Sequence, residues 1–139
     1  MQPDDNMQKK LIFVADDDLT IRNSISRFLS AKGFEVKPLS DGFEVLLLLE
    51  YLQPDLIISD IRMPKLDGIT LLEGLKNKEK TRMVPVIFMS AYSNDDIINR
   101  AIFLGAKFFL FKPFPLDYLE ELIIKILPLQ YNVIFSEAR

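Results

Sequence analysis

Short apolar runs and segments of helical periodicity alternate along this chain. Each apolar run ends at polar or turn-forming residues, a pattern typical of strands buried in a parallel sheet. Five strands are predicted in this way, at residues 11–15, 34–39, 56–59, 85–89 and 108–111. The second contains Pro38, which cannot donate to a neighbouring strand, so we expect it at an edge of the sheet. The phenylalanines of the last strand are expected in the core, because helices cover both faces of such a sheet.

Amphipathic helical patterns fill the intervals between the predicted strands. Asp41 and Asp67 are placed to cap helices, and Pro115 suits the first turn of the last one. The helix expected at residues 42–52 is apolar on all sides near its centre, so its outer residues need cover or a partner. A further helix is expected at residues 94–104. Connections this short favour right-handed crossovers, which predicts an α/β fold with helices on both faces of a parallel sheet.

Composition and length indicate one globular domain. The chain has 139 residues, of which 49% are hydrophobic and 27% are charged, and a chain of this size buries one core rather than two. We place the domain at residues 10–127, with an N-terminal extension at 1–9 and a tail, or the start of a linker, at 128–139.

What the chain lacks excludes several function classes. It has no cysteine and no histidine, so thiolate and imidazole ligands, a histidine base and a phosphohistidine of its own are excluded. The net charge of -3 disfavours direct binding to nucleic acid. No apolar run is long enough to cross a membrane, and the polar start lacks the apolar centre of a signal peptide. We therefore expect a cytoplasmic protein that does not associate with membranes.

The residues that close the predicted strands carry the candidate chemistry, because ligands of open parallel sheets bind at the carboxyl ends of the strands. The first strand ends in Asp16, Asp17 and Asp18, the third in Asp60, the fourth in Ser90 and the fifth in Lys112. Like charges about 4 Å apart repel by roughly 4 kcal/mol at an effective dielectric constant near 20, so clustered carboxylates call for a cation. Mg²⁺ suits such oxygen ligands and commonly joins a carboxylate to a phosphate. The set therefore predicts a carboxylate nucleophile that attacks phosphorus.

Four segments carry a resemblance to a known family. They are VADDD at residues 14–18, DIRMPKLDG at 60–68, SA at 90–91 and KPF at 112–114. In these segments the chain resembles response-regulator receiver domains, and the resemblance covers nearly the whole sequence. It implies a flavodoxin-like (βα)5 fold with a five-stranded parallel sheet in the order 2-1-3-4-5.

The resemblance also implies a phosphoacceptor and a metal site. Asp60 would accept a phosphoryl group from a sensor histidine kinase or a histidine phosphotransfer protein. Asp17 and Asp60 would bind Mg²⁺ directly, together with the backbone carbonyl oxygen of Arg62, and Asp16 would assist.

A switch is implied beside that site. Ser90 and Lys112 would hold the phosphoryl oxygens, and the bond from Lys112 to Pro113 would be cis. Ser90 would move towards the new anion, and the ring of Phe109 would swing into the space that it leaves. Phe109 has no hydroxyl to satisfy, so burial alone favours its inward position and biases the equilibrium towards the active form. The altered surface would be the fourth helix, fifth strand and fifth helix, used for homodimerisation or partner binding.

Two alternatives belong to other classes. Asp16-x-Asp18-x-Thr20 also resembles the first motif of haloacid-dehalogenase-type Mg²⁺-dependent phosphatases, with Asp16 as nucleophile and Asp18 as general acid. That alternative leaves Asp60 unexplained, and it offers only Asp117 where a further acidic pair is needed. A degenerate receiver acting as a docking scaffold is disfavoured by the complete acidic cluster. We therefore expect a signalling domain rather than a turnover enzyme.

Overall fold

The structure, a computed structural model, describes residues 9–92 and 94–127. Strands and helices alternate through this part of the chain. In chain order they are β1 (Leu11–Ala15), α1 (Leu19–Ala31), β2 (Glu35–Leu39), α2 (Gly42–Leu48), β3 (Leu56–Asp60), α3 (Gly68–Lys76), β4 (Val86–Ser90), α4 (Asp95–Phe103), β5 (Phe108–Phe111) and α5 (Leu116–Ile126). Each predicted strand and helix is present, with ends that differ by at most four residues from those expected.

The five strands form one parallel sheet in the order β2-β1-β3-β4-β5. The predicted fold class and strand order are therefore confirmed. β2, with Pro38, lies at one edge as expected, and β5 lies at the other. This order places β1 beside β3 and β3 beside β4, so the carboxyl ends of three acidic or polar strands are neighbours.

Helices cover both faces of the sheet and bury two apolar clusters. α1 and α5 pack on the face that carries Ile12 and Val14, whereas α2, α3 and α4 pack on the face that carries Phe13 and Ala15. These four residues of β1 are fully buried, because successive side chains of a strand point to opposite faces. Burial on both faces explains why the inner strands are continuous apolar runs.

α2 is shorter than expected, since it ends at Leu48 rather than at residue 52. The amide of Tyr51 donates to the carbonyl of Leu48 at 2.9 Å, so the chain tightens into a turn before Pro54. Three outer side chains in this region, Phe43, Leu47 and Tyr51, are exposed by 50%, 52% and 84%. These three side chains are not covered within the described part of the chain, although the sequence analysis predicts that they need cover or a partner.

The last strand also departs from expectation. Phe108 and Phe109 are half-buried, but Phe111 is 57% exposed. The prediction that the phenylalanines of this strand lie in the core is wrong for Phe111, because an edge strand is incompletely covered by helices. Within residues 9–92 and 94–127, no helix has both the length and the apolar character needed to span a bilayer.

Candidate functional site

Three aspartates converge where β1 and β3 end. Ala15 pairs with Ser59 across the two strands, so the next residues, Asp16 and Asp60, emerge side by side. One carboxylate oxygen from each of Asp16, Asp17 and Asp60 lies within 4.8 Å of the others. Asp16 and Asp60 are buried, whereas Asp17 is exposed. The predicted acidic cluster is therefore assembled, with one member open to solvent.

Lys112 supplies the positive charge of the site. Its Nζ lies 2.6 Å from Oδ2 of Asp16 and 2.9 Å from Oδ2 of Asp60, and its side chain is only 11% exposed. Burial by itself lowers the pKa of the Lys112 ammonium, but its hydrogen bonds to the two carboxylates outweigh burial and raise the pKa above the ordinary 10.5. The bond from Lys112 to Pro113 is cis, as the resemblance implied. Lys112 is thus a fixed cation between the two buried carboxylates.

Asp16 is the most constrained of the three aspartates. Its backbone amide donates to the carbonyl of Leu39 at 3.0 Å, and its Oδ1 accepts from the amide of Asp18 at 2.9 Å. Burial raises the pKa of Asp16 above 3.8, although the bonds from Lys112 and the Asp18 amide act in the opposite direction. Ionised Asp16 therefore depends on nearby positive charge.

Asp18 has a structural role in this arrangement. Its carboxylate caps α1 by accepting from the amides of Thr20 and Ile21 at 2.9 and 3.2 Å. A side chain engaged in this way satisfies the unpaired amides of the first helical turn. This contact counts against Asp18 as the general acid of a phosphatase.

The loop after Asp60 is held close to the site. The amide of Arg62 donates to Oδ1 of Asp60 at 3.3 Å, and the amide of Gly68 donates to the carbonyl of Ile61 at 2.8 Å. A Cβ at position 68 would lie 2.7 Å from the Asp60 carbonyl oxygen and 2.9 Å from the ring of Phe88. Glycine at 68 is therefore needed for close approach. The role of the Arg62 carbonyl as a metal ligand stays a prediction.

Ser90 lies at the end of β4, next to β3, but its hydroxyl is turned towards its own loop. Its Oγ donates to the carbonyl of Tyr92 at 2.5 Å and accepts from the Tyr92 amide at 3.1 Å. The Tyr92 ring in turn lies 4.6 Å from the guanidinium carbon of Arg62, a cation–π contact between the two loops. The predicted phosphoryl contact of Ser90 therefore requires its hydroxyl to leave Tyr92.

Phe109 occupies the middle of β5, away from the acidic cluster. It pairs with Phe88 of β4, and the two rings meet edge to face with centroids 6.4 Å apart. On its other side the Phe111 ring lies 5.3 Å away. The half-buried ring thus links the apolar core to the exposed edge of the sheet, and its role as a switch residue stays a prediction.

Sequence reasoning missed one contact of the site. Nη1 of Arg22, in α1, donates to the backbone carbonyl of Asp16 at 2.7 Å. The helical periodicity of α1 predicts which residues face the core, but it does not indicate where a long polar side chain at the helix start will reach. The only signal was a basic residue one turn after an acidic loop.

Comparisons with known proteins agree with this geometry. The sequence profile of the response regulator receiver domain matches residues 12–124. The chain belongs to the response-regulator receiver family. Domains of this family are signalling phosphoacceptor modules of two-component systems, and the receiver described here has their acidic pocket.

The relatives of this receiver include longer regulators. It is 40% identical over 111 residues to the DNA-binding transcriptional regulator NtrC of Salmonella typhimurium, which covers 80% of this chain and 23% of NtrC. It is 35% identical over 107 residues to the transcriptional regulatory protein PdtaR of Mycobacterium tuberculosis, covering 76% of this chain and 51% of PdtaR. The chain thus spans about a quarter to a half of the length of these relatives.

Solved structures resemble the receiver over most of its length. The chemotaxis response regulator CheY4 of Vibrio cholerae superposes with a TM-score of 0.80 at 25% identity, covering 86% of this chain and all of CheY4. The receiver domain of a signal transduction histidine kinase from Syntrophus aciditrophicus gives a TM-score of 0.80 at 29% identity, with 86% and 90% covered.

Proposed function

We propose that this receiver accepts a phosphoryl group on Asp60 in a Mg²⁺-dependent reaction and then switches the surface formed by α4, β5 and α5. The observation that carries the proposal is the contact of the Lys112 ammonium with Asp60 and Asp16, at 2.9 and 2.6 Å. A carboxylate beside a fixed cation, at the carboxyl edge of a parallel sheet, is arranged to meet a phosphoryl group.

The residues present fit Mg²⁺. Asp16, Asp17 and Asp60 offer oxygen atoms within 4.8 Å of one another, and a hard cation prefers carboxylate, carbonyl and water oxygens. Asp17 and Asp60 would bind the ion, with the carbonyl of Arg62 and with Asp16 assisting. When bound, Mg²⁺ would neutralise charge on the transferring phosphoryl oxygens.

The protein side chains would act as follows. An Asp60 oxygen forms a bond to phosphorus while the bond between phosphorus and the donor histidine nitrogen breaks, and that nitrogen keeps the electron pair. Lys112 already contacts Asp60, so it can follow the negative charge onto the phosphoryl oxygens. Ser90 can donate to the same oxygens once its hydroxyl leaves the Tyr92 carbonyl.

We expect the donor histidine in a partner, and these 139 residues contain none. A sensor histidine kinase or a histidine phosphotransfer protein in the cytoplasm would supply it. The proposed output face carries exposed apolar side chains, with Ile102, Phe103, Phe111 and Tyr118 exposed by 63%, 80%, 57% and 47%. Exposed apolar patches mark protein–protein contacts, which supports homodimerisation or partner binding through this face.

The experiment is intact-mass spectrometry after incubation with acetyl phosphate and Mg²⁺. Wild type should gain one phosphoryl group. Asp60→Asn, which is nearly isosteric, should stay folded and gain none, because an amide is not a nucleophile for this transfer. Asp117→Asn, an exposed aspartate in α5, serves as the matched control and should gain one group as wild type does.

The result also separates the alternatives. A phosphatase that uses Asp16 would release phosphate with turnover from many substrates and would be indifferent to Asp60→Asn. A docking scaffold would gain no mass at any position. A mass gain in Asp60→Asn equal to that of wild type would sink the assignment of the phosphoacceptor.

A further inference from the structure

Arg22, in the first turn of α1, hydrogen-bonds to both ends of the acidic loop at residues 16–18. Its backbone amide donates to the carbonyl of Asp18 at 3.0 Å, and its side-chain Nη1 donates to the carbonyl of Asp16 at 2.7 Å. Two ends of the loop are thus tied to one residue. The Arg22 side chain is half-buried, so this contact lies within the structure rather than on an open surface.

The carbonyl that Arg22 holds belongs to the peptide group between Asp16 and Asp17. That group is planar and contains both Cα atoms, so fixing its oxygen fixes the rotation of the plane about the line joining them. The direction in which the backbone enters Asp17 is then fixed. Asp17 is exposed, and no hydrogen bond of its carboxylate is found within residues 9–92 and 94–127, so its placement depends on the backbone.

The side chains of the other two aspartates are held differently. Asp16 Oδ2 and Asp60 Oδ2 are bound by Lys112, and Asp16 Oδ1 is bound by the Asp18 amide. Removing the Arg22 contact would therefore leave Asp16 and Asp60 in place while releasing the peptide group that orients Asp17.

We infer that Arg22 is a positioning residue for the metal site, which holds the Asp16–Asp17 peptide group so that the Asp17 carboxylate faces Asp16 and Asp60. The inference rests on the proposed Mg²⁺ site. Removing a group that hydrogen-bonds to a metal ligand and orients it typically weakens metal binding by roughly 10- to 100-fold. Arg22 acts on the backbone rather than on the ligand atom, so the lower end of that range applies.

A competing explanation would be charge alone. A guanidinium near three carboxylates repels an incoming cation, so its removal would by itself strengthen Mg²⁺ binding, and salt screens that effect over about 8 to 10 Å at 0.10 to 0.15 M ionic strength. Positioning through a direct hydrogen bond is screened much less. The direction of the change in Mg²⁺ affinity therefore distinguishes the two.

The experiment compares the full chain with Arg22→Met, Arg22→Lys and the control Arg27→Met, which removes the same charge from an exposed position of α1. Titration calorimetry with MgCl₂, at low and high salt, should give about tenfold weaker binding for Arg22→Met at both salt levels. Arg22→Lys, which keeps a charged donor, should recover most of the affinity, and Arg27→Met should match wild type.

A second readout needs no metal. In the absence of Mg²⁺, the backbone amide of Asp17 should change its nuclear magnetic resonance position in Arg22→Met, but not in Arg27→Met, because it belongs to the peptide group whose carbonyl Arg22 binds. If wild type binds no Mg²⁺, the proposed metal site fails, and this amide signal still tests the positioning. An unchanged Asp17 amide in Arg22→Met, or Mg²⁺ binding to Arg22→Met that is as tight as in wild type or tighter, overturns the inference.

Discussion

The two halves of the strand-end site differ in how their polar groups are engaged. On the acidic half, formed by the ends of β1 and β3 together with Lys112, the buried carboxylates of Asp16 and Asp60 already contact the Lys112 ammonium. On the switch half, formed by β4 and β5, the Ser90 hydroxyl is bonded to Tyr92 instead of facing Asp60. If the proposed function is correct, the acidic half would need little rearrangement to bind its ligand, whereas the Ser90 hydroxyl would first have to leave Tyr92.

The largest expected effect comes from breaking the acidic half at Lys112. Lys112→Met would leave two buried carboxylates without their cation, and removing one partner of a buried ion pair costs about 3 kcal/mol or more. Urea unfolding at about pH 7.5 should show this loss, and acetyl phosphate should no longer phosphorylate Asp60 efficiently. Lys107→Met, an exposed lysine just before β5, is the control and should change stability little.

The pH dependence of that loss follows from Asp16. Its pKa in the folded protein is already raised by burial, and removing Lys112 raises it further. For an acid with a raised folded pKa, the native state loses stability as pH increases from the ordinary value towards the folded one. The stability deficit of Lys112→Met should therefore be smaller at about pH 4.5 than at about pH 7.5. A deficit that does not change with pH would contradict the pairing.

A moderate effect is expected from adding Mg²⁺, the proposed ligand of the acidic half. Mg²⁺ at about ten times its dissociation constant should stabilise the native state by roughly 1.4 kcal/mol, which calorimetry would record as a rise of a few degrees in Tm. Asp17→Asn should abolish this response and leave the metal-free protein at least as stable, because a repulsion is relieved. The gain should be small, since Asp17 is exposed and its charge is screened.

Asp18→Asn is the matched control for that experiment. It removes the same charge one residue further along, and asparagine is as good a helix cap as aspartate, so the Mg²⁺ response should persist. If Asp17→Asn clearly destabilises the metal-free protein, the Asp17 carboxylate stabilises the loop itself, and its assignment to cation binding is contradicted.

The smallest expected effect concerns the switch half and is a shift in population. Beryllofluoride, a mimic of the phosphoryl group on Asp60, should change oligomeric state in light scattering and amide exchange over α4, β5 and α5. Phe109→Ala should blunt that response, because the ring linking Phe88 to the sheet edge is removed. Phe111→Ala, which removes an exposed ring from the same strand, should keep the amide-exchange response. Equal responses in wild type and Phe109→Ala would rule out a relay through Phe109.

Much of the fold could be predicted because it depends on residue patterns that act locally. Burial on both faces makes the inner strands apolar throughout, and Pro38 marks an edge that the strand order confirms. The end of α2 could not be predicted, because an all-apolar helix gives no periodic signal to show where packing stops. The exposure of Phe111 depends on how far the neighbouring helices extend over the edge strand, which is a tertiary property.

In the candidate site, too, some features could be predicted from the sequence and others could not. Asp16 and Asp60 could be brought together from sequence, because each closes a predicted strand and the family resemblance implied that those strands are neighbours. The direction of the Ser90 hydroxyl could not, since it is chosen by competition between Asp60 and a carbonyl two residues away. The Arg22 contact was also hidden, because a flexible side chain reaches a backbone atom that carries no residue signature.

Gly68 limits which sequences the loop after Asp60 can accept. Its glycine is required by space rather than by backbone conformation, since a Cβ would meet the Asp60 carbonyl oxygen at 2.7 Å and the Phe88 ring at 2.9 Å. A smaller residue at 88 could relieve only the second contact, because the first is made with backbone. In a library that randomises residues 61–68, position 68 would therefore tolerate no second-site rescue from side chains, and variation would concentrate at solvent-exposed positions such as Arg62.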